Sequence, residues 1–194
     1  MDEQDLISRS KGGDVEAFNL LVEQYQRLVY NIALRMLGNA EAAEDAVQDT
    51  FLSAYKAIGN FRGGSFKSWI LRIASNSCLD KLRVSRRYRV ISLDTLLLDP
   101  DSLPQSNGNE SPEDYAMRQE LGRFLNEGLA HLSEDQRLVV ILSDIQGLTY
   151  EEVAQVTRSS LGTVKSRLNR GRTRLKDFLL QRKELLPPEF RLNK

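Results

Sequence analysis

Apolar residues recur along most of the chain at the spacing of an amphipathic α-helix, and no convincing alternation of a strand is present. The first long pattern runs from Asp14, which is suited to cap a helix, to about Leu37. A second pattern covers residues 40–58, and a third begins after Ser65 and reaches about Arg87. These patterns predict three or four helices that enclose one small core.

Residues 91–112 interrupt the helical pattern. They contain Pro100, Pro104, Pro112 and four serines, a composition that favours a linker. We therefore expect one domain over residues 1–90, a linker over 91–112, a second domain over 113–180 and a tail over 181–194. The predicted fold class is all-α, with two small helical domains joined by a flexible linker.

The second domain carries clear signals for the starts of helices. Pro112 stands at the start of a helix predicted to reach about Leu132. Capping boxes are predicted at 133–136 and at 149–152, each before a further helix. The three predicted helix starts divide this part of the chain into short helical segments.

The last of these signals introduces a helix-turn-helix. A short helix from Tyr150 is followed by a turn at 158–160 and by a long helix that begins at Leu161. Val153 and Val164 occupy the inward positions where the two helices cross, which is the spacing of this motif. The second helix of such a motif lies in the major groove of DNA.

Charge is distributed unevenly, although the formal net charge is zero. Segments 61–90 and 161–194 each carry a net charge of +7, whereas segments 1–60 and 91–160 carry −5 and −9. Two separate basic blocks suggest two contacts with a polyanion. Solvated helix faces are the alternative interpretation.

The composition excludes several classes of protein. A single cysteine, Cys78, rules out an internal disulfide and a site built on several thiolates, and the only histidine is His131. We expect Cys78 to be semi-buried and His131 to be structural or exposed, with no catalytic site, metal or cofactor. The apolar runs are too short to span a membrane, and the acidic start lacks the features of a signal peptide, which predicts a cytoplasmic protein.

The long second helix supplies the side chains that suit DNA. Lys165, Ser166, Asn169 and Arg170 lie near its N-terminal half, where contact with base edges is easiest. Residues 172 and 174, both arginine, are predicted to hold phosphates. A basic face that meets only solvent remains the alternative.

Several motifs together resemble the extracytoplasmic-function sigma factors of bacterial RNA polymerase. In the first domain these are the runs 43–55, 61–63 and 69–74, and in the second the runs 150–154 and 162–168. Their order, with a linker between them, is more specific than any single run. The resemblance implies a subunit without enzymatic activity that binds core polymerase and directs transcription initiation at promoters with −10 and −35 elements. It further implies a stress or envelope response.

The resemblance also implies three sets of site residues. The clamp helices of the polymerase would meet an acidic strip on the second helix, formed by Glu41, Glu44, Asp45, Gln48 and Asp49. The −10 element would meet Asn60, Phe61, Arg62, Gly63, Arg72, Asn76, Arg83 and Arg87. The −35 element would meet Thr163, Lys165, Ser166, Arg167, Asn169, Arg170, Arg172 and Arg174.

Some alternatives stay open at the level of sequence. The acidic strip could be an ordinary solvated face, and Trp69 could stack on a base rather than join the core, whereas the phase of Phe66 assigns it to the core. The chain could also be a stand-alone helix-turn-helix regulator, which would need a dimer interface rather than an acidic strip. The family further implies contact with the polymerase flap and an anti-sigma factor, which the tail could contact.

Overall fold

The computed structural model describes residues 2–88 and 112–181, with side chains described for 2–85 and 120–181. Within these ranges the regular structure is helical throughout. The helices are α1 (Glu3–Lys11), α2 (Val15–Leu37), α3 (Ala40–Ala57), α4 (Phe66–Tyr88), α5 (Pro112–Ala130), α6 (Glu134–Val140), α7 (Tyr150–Thr157) and α8 (Leu161–Leu179). The predicted linker, apart from Pro112, and the predicted tail beyond residue 181 lie outside the described residues.

The predicted boundaries of α2, α3 and α4 are confirmed to within a residue or two. The Asp14 carboxylate accepts the Ala17 N–H at 3.0 Å, and Gly38 ends α2 in the left-handed conformation with φ of 71°. Ser65 begins α4 by accepting the Ser68 N–H at 3.1 Å. A 3₁₀ turn, Ile58–Asn60, follows α3. Sequence patterning did not identify α1, because a nine-residue helix is too short to repeat an apolar stripe.

The core of the first domain lies where α2, α3 and α4 pack on one another. At one end of this core, four aromatic rings form a cluster whose neighbouring centroids are 5.3–5.7 Å apart. Its members are Tyr25, Phe61, Phe66 and Trp69. Phe66 is 1% exposed, which confirms the prediction that it belongs to the core, and Trp69 is half-buried against the same cluster. Aromatic pairs at such distances stabilise by about 0.5–1.5 kcal/mol beyond the burial of their area.

The second domain confirms one predicted capping box and corrects the other. Thr149 accepts the Glu152 N–H, and the Glu152 carboxylate accepts the Thr149 N–H. Ser133 precedes α6 but makes no capping hydrogen bond, so the prediction at 133–136 was wrong. The Gln136 side chain points instead toward α8, where its amide oxygen accepts a hydrogen bond from Arg174.

The helix-turn-helix is confirmed by α7 and α8. Val153 and Val164 are fully buried at the crossing. Arg158 ends α7 with φ of 49°, a left-handed conformation that glycine adopts more readily. The last turns of α6 continue into a π-helical segment, Ile141–Ile145. Behind α8, buried Gly171 leaves no room for a side chain against α6.

The two domains pack against each other. The end of α2 contacts α5 and α6, and α4 contacts α7. Leu34 and Met36 are at most 1% exposed although they lie on different sides of α2, because the second domain covers one side. Arg137 links the domains by donating to the Met36 carbonyl at 2.6 Å and to the Leu129 and Ala130 carbonyls at 2.8 Å. A guanidinium at two helix C-termini also complements both helix dipoles.

Candidate DNA and polymerase interfaces

The outward face of α8 is an exposed polar surface. Lys165, Ser166, Asn169 and Arg170 are all exposed and lie opposite the buried side of the helix, which carries Val164. Arg170 donates to the Ser166 carbonyl and hydroxyl at 3.2 Å, so these two side chains lie together. The face presents donors and acceptors of the kind that read base edges.

The Arg172 side chain serves the scaffold of the second domain. Its guanidinium donates to both carboxylate oxygens of Asp144, at 2.5 and 2.9 Å, and lies 3.4 Å from the Tyr150 hydroxyl. Hydrogen bonding to Asp144 raises the pKa of Arg172. Since Asp144 lies in the π-helical segment, this contact ties α8 to the continuation of α6. It also occupies the side chain that sequence patterning assigned to phosphate.

Two further arginines on the other flank of α8 are also held by the scaffold. Arg167 donates to the Asp135 carboxylate at 2.6 Å and to the Ser159 hydroxyl at 3.0 Å. Arg174 donates to Gln136 at 3.0 Å. Thr163, the remaining residue of the predicted −35 set, is half-buried and donates its N–H to Ser160. The predicted set therefore divides into a free outward face and flanks that hold the helix in position.

The predicted −10 loop joins exposed and buried residues. Asn60, Arg62 and Gly63 are exposed. Gly63 and Gly64 have φ of 93° and 88°, and nothing lies within 4 Å of the position of a side chain on either, so the backbone is open to a ligand. Phe61 is only 4% exposed and packs in the aromatic cluster. The ring of Phe61, a member of the predicted −10 set, is therefore covered by protein in this conformation.

The polar face of α4 continues from this loop. Arg72 is half-buried, whereas Asn76 and Arg83 are exposed. Arg83 pairs with Asp80 at 2.9 Å on the same helix. The side chain of Arg87, also predicted to contact the −10 element, lies outside the described residues. The described part of the face therefore carries two cationic side chains, Arg72 and Arg83, and one carboxylate, that of Asp80.

All five residues of the acidic strip on α3 are exposed, as a binding surface requires. Four of them divide between two grooves. Asp45 and Asp49 face α4, where Lys81 lies 3.9 and 2.9 Å from their carboxylates. Glu44 and Gln48 face α2. Nothing in the sequence marks Lys81 as a partner of the strip, because only the tertiary packing of α3 on α4 brings it there.

The groove between α2 and α3 is largely apolar and has a volume of about 720 Å³. Three large apolar side chains at its rim are 40–53% exposed: Val15, Leu52 and Tyr55. Glu44 and Gln48 line it as well, so the acidic strip and the apolar groove form one continuous surface. An exposed apolar patch with a polar rim is typical of a protein-binding site. The strip was predicted from spacing, whereas the groove was not.

Cys78 and His131, the only cysteine and the only histidine of the chain, both pack against the scaffold. Cys78 is fully buried rather than semi-buried, and burial raises the pKa of its thiol to about 12. His131 is exposed, and its ring lies 4.6 Å from that of Phe178. Among the described residues, no cluster of histidine, cysteine and carboxylate side chains could hold a metal ion. Within the same ranges, no helix is long and apolar enough to cross a membrane.

Comparison with known families matches both domains. The model of Sigma-70 region 2 matches residues 21–88, and that of Sigma-70 region 4 matches residues 125–175. Among solved structures, CnrH in complex with the cytosolic domain of CnrY has a TM-score of 0.65 at 26% identity, over 91% of this chain and 96% of CnrH. The sigma factor RpoE in complex with the anti-sigma factor NepR from Bartonella quintana has the same fold, with a TM-score of 0.67 at 24% identity over 84% of this chain and 96% of that chain.

Curated relatives extend over nearly the whole chain. RNA polymerase sigma-H factor of Pseudomonas aeruginosa is 36% identical over 174 residues, which cover 88% of this chain and 90% of the relative. ECF RNA polymerase sigma-E factor of Escherichia coli is 34% identical over 89% of this chain and 91% of its own length. Two sigma regions in the expected order on an all-helical fold, together with these relatives, show that the chain belongs to the extracytoplasmic-function sigma factors of bacterial RNA polymerase.

Proposed function

We propose that this sigma factor recruits bacterial core RNA polymerase to promoters that carry a −10 and a −35 element, and that it acts in the cytoplasm. The observation that carries the proposal is the exposed polar face of α8 in a chain that also contains sigma region 2. A sigma factor selects the promoter and leaves the chemistry to the polymerase, so it needs no catalytic group. Residues 1–90 and 113–180 are proposed as the two functional domains, joined by 91–112.

The −35 element is proposed to meet the outward face of α8. Lys165, Ser166, Asn169 and Arg170 are free to reach base edges in the major groove. Arg172 and the other flanking arginines position the helix through their contacts with α6 and the π-helical segment. Because these contacts link α8 to the scaffold on both flanks, the helix has a fixed orientation relative to the rest of its domain.

The −10 element is proposed to meet the loop after α3 and the polar face of α4. Asn60, Arg62 and Gly63 are exposed, the backbone at Gly63 is unobstructed, and exposed Asn76 follows on α4. A single strand is bound by cations along its phosphates and by a pocket for an extruded base. Two contacts hold the loop in place. The Phe61 ring is buried in the aromatic cluster, and the Lys11 ammonium group donates to the Phe61 carbonyl at 2.8 Å.

Core polymerase is proposed to occupy the acidic strip of α3 together with the groove between α2 and α3. Its clamp helices, the partner implied by the family, would lie in the groove as a helix lies in an apolar cleft. Leu52 and Tyr55 supply the apolar contact, and Glu44, Asp45 and Asp49 supply charge complementarity. The second domain is proposed to contact the polymerase flap.

Regulation by an anti-sigma factor in a stress or envelope response is proposed as well. The similar RpoE structure contains the anti-sigma factor NepR, and the similar relatives include sigma-E factors. The proposal predicts that an anti-sigma factor, when identified, competes with core polymerase for the first domain. Competition between labelled core and that protein would test this point.

The experiment for the main proposal is run-off transcription on a library of genomic fragments, with purified core polymerase and the wild-type chain. New discrete transcripts are expected, and their start sites define the promoter. Two charge reversals then separate the two surfaces. Arg170→Glu should remove initiation at −35-dependent promoters and keep core binding, whereas Asp45→Lys with Asp49→Lys should weaken core binding and keep the DNA affinity of the second domain.

Each variant serves as the control for the other. Initiation that survives in Arg170→Glu would contradict the assignment of α8, and unchanged core binding in the double reversal would remove the strip from the interface. A wild-type chain that neither binds core nor yields transcripts would refute the proposed function.

A further inference from the structure

Lys81 on α4 forms an ion triad with two carboxylates of α3. Its ammonium nitrogen is 2.9 Å from Asp49 and 3.9 Å from Asp45. The lysine side chain is 28% exposed, whereas those of Asp45 and Asp49 are 65% and 56% exposed. The ammonium group is therefore partly covered, and the carboxylates keep an open side toward solvent.

The triad lies in a groove that separates the two surfaces proposed for polymerase and for the −10 strand. This groove has a volume of about 710 Å³, and it is lined on one side by Asp45 and Asp49 and on the other by Asn76 and Lys81. Side chains of the two surfaces therefore face each other across this one groove. Any partner that changes the charge of the α3 side also changes the electrostatic potential felt by a strand on the α4 side.

We propose that Lys81 contacts a phosphate of the −10 strand, and that Asp45 and Asp49 hold its ammonium group until core polymerase engages their carboxylates. This inference rests on the proposed function. An exposed ion pair contributes little to stability, so cations of the polymerase can replace Lys81 at low cost. The ammonium group on its long, flexible stem is then free to turn toward the phosphate.

The carboxylates of this groove also favour binding of core polymerase before binding of the −10 strand. Asp45, Asp49 and Asp80 all line it, and they repel a phosphate chain in the free protein. Engagement of Asp45 and Asp49 by polymerase removes most of that repulsion and releases one cation. Binding of the −10 strand therefore depends on prior binding of core, through named side chains on two adjacent helices.

The first test measures promoter affinity of the reconstituted holoenzyme over a series of salt concentrations, on a promoter recovered by run-off transcription. Lys81→Gln should weaken binding by about fivefold to tenfold near 0.1 M salt and reduce the slope of log K against log salt by about 0.7–0.9, the value of one phosphate contact. Lys81→Arg should restore both quantities. Lys56→Gln, which removes an exposed lysine of α3 outside this groove, is the matched control and should change neither.

The second test uses the free chain and a random single-stranded oligonucleotide. Asp45→Asn with Asp49→Asn should bind the oligonucleotide more tightly than wild type does, and addition of Lys81→Gln should cancel the gain. Circular dichroism melts check that all variants are folded.

Three results would overturn the inference. They are a salt slope that Lys81→Gln leaves unchanged, a loss of core affinity as large as the loss of promoter affinity, and an Asp-to-Asn double variant that binds the oligonucleotide no better than wild type. The second result would make Lys81 only a positioning residue for Asp49. A wild-type holoenzyme without transcripts would instead refute the proposed function itself, so the two failures are distinguishable.

Discussion

Gly171 in the middle of α8 provides a sharp test of the packing in the second domain. In an exposed helix, replacement of glycine by alanine stabilises by about 1 kcal/mol. Gly171 is buried, and a Cβ atom there would lie 2.9 Å from Val140 Cγ2 and 3.5 Å from Gln136 Cβ. Carbon atoms prefer separations of about 3.5–4.0 Å, so α8 or α6 has to move.

The two terms have opposite signs, and their sizes decide the outcome. Val140 is 2% exposed and β-branched, so it cannot rotate out of the way, and overpacking at such a site costs about 1–3 kcal/mol. For a contact of 2.9 Å we take an overpacking cost of about 2–3 kcal/mol. From it we subtract the gain of about 1 kcal/mol in helix propensity of alanine over glycine. Gly171→Ala should therefore destabilise the protein by about 1–2 kcal/mol, which corresponds to a fall in Tm of about 2–8 °C.

Gly162 supplies the matched control in the same helix. Its nearest neighbour to an added Cβ is Ser160 Oγ at 3.8 Å, an ordinary contact. Gly162→Ala should leave the free energy of unfolding unchanged or raise it by up to about 1 kcal/mol, and Tm should stay the same or rise accordingly. Urea unfolding followed by circular dichroism measures both variants. A Gly171→Ala protein as stable as wild type would refute the close approach of α8 to α6.

The remaining predictions concern single side chains. Arg172→Gln should lower the urea midpoint because it removes the contact with Asp144. Arg170→Gln should leave the midpoint unchanged and reduce the affinity for −35 DNA. Equal effects of the two variants on DNA affinity and on unfolding would contradict this division of α8. Arg137→Gln should destabilise the protein by about 2–4 kcal/mol and increase its radius in small-angle scattering, since charge-assisted hydrogen bonds to three carbonyls are lost; an unchanged radius with unchanged stability would exclude the interdomain contact. The pKa of the Cys78 thiol is raised from 9.0 to about 12, so the folded state favours the protonated thiol and the associated stability is full below pH 9 and lost as pH rises toward 12. Reaction with a thiol reagent at pH 8 should be at least about a thousandfold slower in the native protein than in urea, and rapid native labelling would show that the thiol is accessible.

Much of the fold could be predicted from local sequence signals. Asp14, Gly38 and Thr149 act through backbone groups a few residues away, so their positions predict helix ends without knowledge of the rest of the molecule. The alternation of apolar positions every three or four residues likewise predicts which face of α2 or α8 is buried. At Ser133 the local signal predicts a capping box that does not form, because its predicted partner Gln136 accepts a hydrogen bond from Arg174 on a helix distant in sequence.

The candidate site depended more on tertiary contacts. From sequence, position along α8 assigns Arg170 to base edges and Arg172 to phosphates, and nothing local indicates that Arg172 is held by the scaffold. The difference arises because Asp144, 28 residues away in the chain, lies beside Arg172 only after α8 packs on α6 and its π-helical continuation. The same reasoning applies to Phe61, whose ring enters the aromatic cluster, and to Lys81, whose partners are on α3.

The sequence by itself therefore determined the helical class, most helix ends, the helix-turn-helix and, through the order of its motifs, the family of the protein. Periodicity and capping express interactions within about one or two helical turns, and these are readable along the chain. Only the tertiary structure decided which charged side chains remain free to bind a partner, where the apolar groove between α2 and α3 lies, and how Arg137 joins the two domains. Those properties depend on pairs of residues that are distant in sequence and become neighbours only when the helices pack.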